Sequence, residues 1–160
     1  MEITVTGLEE LTAKLRRVSD VVEQYAMVAG VKAGCKVIAH EMRESAPVLD
    51  ERTAKSTSLQ PGALKEGIKV FAPHAKDGYV EEIVGPSSKT QYVAEWVEYG
   101  HRLVKGGHSV AVGNGKWRGN GHEIGEVNPH PFLRPAFEAA SGEALEACTA
   151  AASSELKKGL

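Results

Sequence analysis

Three prolines fall within seven residues, at Pro129, Pro131 and Pro135, in the run Pro129-His130-Pro131-Phe132-Leu133-Arg134-Pro135-Ala136-Phe137. A proline fixes its own φ, has no backbone donor and pushes the residue before it towards extended conformations, so this run cannot lie inside a helix. It predicts a rigid extended arm that leads directly into a helix, with Pro135 in the first helical turn, where its missing N–H costs nothing. The arm carries Phe132, Leu133 and Arg134 to the head of a long alanine-rich segment. Such an arrangement points to apolar packing against a neighbour and away from catalysis.

Bulk properties narrow the field. The 160 residues are 42% hydrophobic and 25% charged, enough for one ordinary domain with a modest core. We read residues 1–160 as a single domain with loop insertions at about 48–61 and 101–128. Aromatics make up only 6%, so the core rests on Val, Ile, Leu and Ala. The formal charge of −2 gives no bulk electrostatic case for nucleic-acid binding. Cys35 and Cys148 sit in small, apolar surroundings in two separate helical segments and read as buried free thiols. The first residues lack the basic and apolar regions of a signal peptide, and no apolar run is long enough to span a membrane.

Periodicity assigns the elements. Ile3-Thr4-Val5-Thr6 is β-branched and alternating, a short strand ended by Gly7. Leu8, Leu11, Leu15 and Val18 recur at helical spacing and predict a first amphipathic helix. A second helix is expected from about Asp20, as its cap, to Glu44, with a stripe through Val22, Tyr25 or Ala26, Ala29, Ala33, Val37 and Glu41 with Met42. Gly30 and Gly34 lie four apart in it. Each costs about 1 kcal/mol relative to alanine, and together they predict a flat face where another backbone comes close. Ser45-Ala46-Pro47 ends the helix.

Residues 48–61 read as a loop, 62–68 as one helical turn, and Ile68–Phe71 with Tyr79–Gly85 as a hairpin whose loop exceeds the tight two-residue type. Tyr92, Trp96 and Tyr99 follow helical spacing, so Tyr92–Tyr99 reads as a short helix with its aromatic side on the sheet, ended at Gly100. The stretch 101–128 is glycine-rich and reads as a long loop, with Leu103-Val104 and Ser109–Val112 able to pair. From Pro135 to about Lys158 a helix presents the small face Ala136, Phe137, Ala140, Ala144, Leu145, Cys148, Ala151, Ala152 and Leu156.

Catalytic constellations are weak. His101, His108, His122 and His130 share one region with Glu98, Glu123 and Glu126, but zinc needs three or four converging ligands and no His-Glu-x-x-His helix exists. His40-Glu41-Met42-Arg43-Glu44 ends in Glu, and His122-Glu123-Ile124-Gly125 is broken by glycine. There is no Gly-x-Ser-x-Gly elbow, and neither cysteine has an electropositive setting. Lys116 is followed by Trp117 where a phosphate loop needs Ser or Thr. We therefore expect no catalytic, metal or cofactor site. Lys116, Trp117 and Arg118 remain as a docking tip for a protein or a nucleic-acid backbone. Trp96, Glu98, Tyr99, Phe132, Leu133, Arg134 and Phe137 remain as candidates for a subunit boundary, with the Arg134 guanidinium able to pair with Glu98 or Glu95.

Five motifs then stand in order: Thr4–Leu11, Ser45-Ala46-Pro47, Gly62-Ala63-Leu64, Val97-Glu98-Tyr99-Gly100 and Pro131–Phe137. Over nearly the whole chain they resemble the gene-product-ten-like neck or tail-completion family of long-tailed phages. Members of that family follow Ala-Pro closely with Thr-Gly-Ala-Leu and reach the proline arm sooner, so residues 48–61 and the glycine-rich stretch are this chain's own. The resemblance implies an α+β fold, with amphipathic helices over a small antiparallel sheet and a long C-terminal helix. It implies a non-enzymatic virion protein made in the host cytoplasm, whose copies form a ring, a hexamer by expectation, at the head–tail interface. The implied partners are its own copies, head-closure or connector proteins, and tail terminator or tail tube proteins. DNA would pass through without sequence-specific binding, and no membrane is involved. The rival readings are a tail terminator capping the tube and, from another class, a small metal-dependent hydrolase using the loop histidines.

Overall fold

The structure, a computed structural model, describes residues 8–48, 59–76, 79–105, 109–111, 117–119 and 121–159, with side chains described for these except 8–19, 21, 109–111, 117–119 and 159. The strand expected at Ile3–Thr6 and residues 49–58 of the expected loop lie outside the described residues.

The two helices expected before Ala46 are one, α1, Leu8–Ser45, of 38 residues. No glycine or proline occurs between 8 and 29. Ser19 and Asp20 cost at most about 0.7 kcal/mol each in a helix interior, which is too little to interrupt it. The buried side meets the expected stripe at Ala26 and Met42 and the expected glycine face at Gly30 and Gly34; Ala39 joins them, whereas Ala29, Ala33 and Val37 are half-buried and Tyr25 is exposed. The helix stops before Ala46-Pro47, as the sequence predicts.

The last helix, α4, spans Leu133–Gly159 and packs antiparallel along α1. The glycine pair makes this close approach possible. A Cβ built on Gly30 would lie 2.9 Å from the Cys148 carbonyl oxygen, and one on Gly34 would lie 2.9 Å from that of Ala144. The expected small-residue face of α4 is buried through Ala136, Ala140 and Ala144, whereas Phe137, Leu145 and Leu156 stay exposed.

Between the long helices, α2 is a single turn, Ala63–Gly67. The expected hairpin follows, built from β1 Ile68–Val70, β2 His74–Lys76, β3 Tyr79–Glu81 and β4 Val84–Pro86. β1 pairs with β4 (Ile68 opposite Pro86) and β2 with β3 (Lys76 opposite Tyr79), both antiparallel. Only Asp77-Gly78 separates the last pair, so the connection is two residues long, shorter than expected.

The helix α3, Gln91–Tyr99, is the expected aromatic one. Its orientation is not. Val93, Ala94 and Glu98 face inward, and Tyr92, Trp96 and Tyr99 face out. Arg43 ties α1 to the hairpin by donating from Nε and Nη2 to the Ile68 carbonyl at 3.1 and 2.9 Å. The core gathers Met42, Ala46, Leu64, Ile68, Ala94, Phe132 and Ala136, with Ile38, Val84, Val97 and Leu133 against it.

The glycine-rich stretch departs most from expectation. β5 His101–Lys105 pairs with β8 His122–Val127, and β6 Ser109–Ala111 pairs with β7 Trp117–Gly119. Leu103-Val104 thus pairs across to Gly125 and Glu123, and not with 109–112. The outcome is an antiparallel ribbon with a register shift between Leu103 and Val104. The described strands form two-stranded pairs throughout, giving an α+β architecture with small antiparallel sheets and a long C-terminal helix.

Candidate functional site

Glu98 organises the head of α4. It lies on the inward face of α3 and is 5% exposed. The extended arm brings three backbone amides to it. Phe132 N and Leu133 N donate to Oε2 at 2.8 and 2.9 Å, and Arg134 N donates to Oε1 at 3.3 Å. The first N–H groups of a helix have no partner within it, and a carboxylate placed there also meets the positive end of the helix dipole. Burial alone would raise the Glu98 carboxyl. The amides of Leu133, Phe132 and Arg134, followed by the Arg134 charge, outweigh it and hold the group below the usual carboxylate range. The expected bond between Glu98 and the guanidinium is therefore made by the backbone of the arm. No Arg134 ion pair with Glu98 or Glu95 occurs within 4.0 Å.

The arm is fixed at both ends of its bend. His130 N donates to the Val97 carbonyl at 2.7 Å. Phe132 is 2% exposed among Met42, Leu64, Ile68 and Ala94, so it anchors the arm to its own subunit. Gly100 makes the geometry possible. Its φ is +72°, and a Cβ there would sit 2.5 Å from the Val127 carbonyl oxygen and 2.9 Å from Pro129 N.

The other predicted interface residues divide by exposure. Leu133 is half-buried, and Arg134, Phe137, Trp96 and Tyr99 are exposed. Tyr92 meets Trp96 edge-on with centroids 5.2 Å apart, and Trp96 stacks on His101 at 5.1 Å and 28°. This short aromatic series joins the outer side of α3 to the base of the ribbon. On the other side of α3 a cleft of about 670 Å³ runs past Phe71, Ile83, Glu98, Tyr99, Leu133 and Arg134. Phe71 and Ile83 belong to the hairpin and were absent from the sequence-based candidates. Their only signal was an exposed position in an alternating strand pattern. Of the docking-tip candidates, Trp117 and Arg118 lie on β7, and Lys116 lies outside the described residues.

Among the described residues, no group of three or more His, Cys, Asp and Glu side chains gathers closely enough to hold a metal. The cysteines are free and half-buried rather than fully buried. Burial, and then the Glu82 side chain, pushes the Cys35 thiol up to about 11, away from the thiolate a nucleophile requires. Among the described residues no helix is long and apolar enough to cross a membrane.

The sequence model of the family described as "Bacteriophage HK97-gp10, putative tail-component" matches residues 9–100. The chain belongs to this family. The matched stretch covers α1, the hairpin and α3, and stops at Gly100, where the ribbon begins. It is shorter than the near-complete coverage that the sequence motifs suggested, because the ribbon, the proline arm and α4 fall beyond it. Glu98 is thus inside the family's matched region, and the amides it binds are outside. No match was found among curated proteins or among solved structures. Membership makes this a phage tail-related protein, and it agrees with the resemblance drawn from the ordered motifs.

Proposed function

We propose that this gp10-like protein is a non-enzymatic structural subunit of the virion neck, a tail-completion protein whose copies form a ring joining the capsid connector to the tail tube. The family match over residues 9–100 carries this reading. The exposed surface supports it. Phe71, Ile83, Tyr99, Phe137 and Leu145 are each between 42% and 69% exposed and lie on the hairpin, α3 and α4, an unusual amount of large apolar surface for a chain that works alone. Ring partners on the head side would be connector or head-closure proteins, and on the tail side terminator or tube proteins, with DNA passing through the lumen.

The decisive experiment places an early stop codon in the gene of the phage or inducible prophage that encodes it. Electron microscopy of the lysate should show filled heads and separate tails, with joined particles restored by the gene in trans. Infectious, fully joined particles without the protein would refute the neck assignment. Tails of uncontrolled length would move the protein to the tail terminator.

A further inference from the structure

A second cleft, of about 530 Å³, lies between α1 and the first strand of the hairpin. Lys32, Lys36 and Arg43 line it from α1, and Lys69 from β1. The three on α1 follow at steps of four and seven residues, so they share one face of the helix. Arg43 donates to a neutral carbonyl, and among the described residues none of the four cations has a carboxylate within 4.0 Å. The one acid of the lining, Glu82, has its Oε2 buried without a hydrogen-bond partner, and it leaves a surplus of three positive charges. On a chain with a formal charge of −2 this is a local concentration of one sign.

The hairpin side of this cleft is a strand edge. Phe71 N donates to the Ile83 carbonyl and Ser87 N to the Gly67 carbonyl. Antiparallel ladders alternate, and Lys69 sits opposite Gly85, so the bonding groups of Ile68 and Val70 point away from β4. Arg43 takes the Ile68 carbonyl. The N–H and C=O of Val70 meet no partner among the described residues, and Val70 lines the cleft. Among the described strands β1 pairs with β4 alone. An open edge of this kind is a template for a further strand. Beside it the cleft is walled by Phe71, 42% exposed, and by Pro73.

We propose that this cleft takes an extended acidic segment of a partner protein, added as a strand to the open edge of β1. The segment's backbone exchanges hydrogen bonds with Val70, its carboxylates face Lys32, Lys36 and Lys69, and its intervening apolar side chains cover Phe71 and Pro73. The spacing fits. Alternate side chains of an extended chain recur at about 6.6 Å, and Lys32 and Lys36 stand about 6 Å apart along the helix axis. A nucleic acid would bring the anions but no amide for Val70 and nothing for the apolar wall. Residues 1–7, 49–58 and 106–120 contain no two acids at alternate positions, so neither this chain nor a second copy supplies the segment from those stretches. Such binding requires neither the ring nor the neck position, so joined particles formed without the protein would leave it standing.

The test titrates the full chain into a fluorescently labelled short peptide of alternating glutamate and valine and follows anisotropy. Binding should saturate, weaken with added salt and be absent when lysine replaces glutamate in the peptide. Lys32→Glu with Lys36→Glu, both at exposed positions, should weaken it at least about tenfold with an unchanged circular dichroism spectrum, because two charge-assisted contacts are lost. Two further peptides, N-methylated at alternate amides in the two possible registers, leave the protein untouched. One of them should bind at least about tenfold more weakly than the other, because only one set of amides faces Val70. Equal binding by both methylated peptides leaves only a charged patch and overturns the proposal. The absence of saturable binding, or a lysine variant that binds like the parent, overturns it as well. Duplex DNA that binds more tightly than the peptide and loses that binding in the same variant assigns the cleft to nucleic acid and also overturns it.

Discussion

The proline arm and the ribbon both meet the C-terminal end of α3, at Val97 and Gly100, yet the molecule treats them oppositely. The arm passes Val97 and Glu98 and is fixed by its own subunit, with Phe132 buried in the core and three amides on one carboxylate. The ribbon leaves from Gly100 and keeps Leu103, Val104 and Ile124 in solvent. In sequence both look like devices for reaching a neighbour. Only burial separates them. A stiff, apolar, proline-rich segment can be an internal strut, and a glycine-rich segment can be the one that leaves apolar side chains in solvent.

The sharpest way to break this contrast is to remove the strut's anchor. Phe132→Ala leaves a cavity among Met42, Leu64, Ile68, Ala94 and Ala136, and should lower unfolding free energy by about 3–5 kcal/mol in urea titrations. A loss below about 1 kcal/mol would mean that Phe132 does not hold the arm to its own subunit.

Glu98→Ala ranks next. It strands the amides of Phe132, Leu133 and Arg134 without the carboxylate and should cost about 3 kcal/mol, with Glu98→Gln less harmful because its amide oxygen still accepts. The pH dependence has a defined sign. The carboxyl is held below its usual range in the folded chain, so its contribution is complete above the unfolded value of about 4.3 and is lost as pH falls through the lower folded value. The stability gap between the parent and Glu98→Gln should therefore narrow under acid, below about pH 4. A gap that is constant from pH 7 to pH 3 would show that the charge of Glu98 contributes nothing.

The same contrast explains what could be read from the sequence. Gly30 and Gly34 signalled the close approach of a second backbone, because two glycines four apart in a helix need a local reason, and α4 supplies it. The turn at Ala63–Gly67, the stop at Ala46-Pro47 and the helix Gln91–Tyr99 were equally local and equally legible. The inward face of α3 was not. Its aromatics suggested burial, but Glu98 faces inward because its partners, 34 to 36 residues further on, are backbone amides that no side-chain pattern reveals. The strands of the ribbon were hidden for a similar reason. Arg102 pairs with Glu126 across many intervening residues, and the glycines among them erase the alternation that marks a strand.

A smaller effect tests the helix packing on which both segments are mounted. Gly34→Ala and Gly142→Ala gain the same helix propensity, about 1 kcal/mol. At Gly34 the added Cβ lies 2.9 Å from a backbone oxygen of α4, so overpacking should outweigh the gain and leave a net loss of about 1–2 kcal/mol. At Gly142 nothing lies within 4 Å, and the substitution should stabilise. Thermal melts that moved in the same direction for both would show that α1 and α4 are not held at the separation described.

The smallest expected effect on the subunit carries the other half of the contrast. Ile124 is 60% exposed on the ribbon, so Ile124→Ser removes almost no buried apolar surface from a single copy. Unfolding of the dilute monomer should change by no more than about 0.5 kcal/mol, the range of ordinary surface substitutions. A loss above about 1 kcal/mol would place Ile124 with Phe132, packed on its own subunit, and the contrast between ribbon and arm would fail.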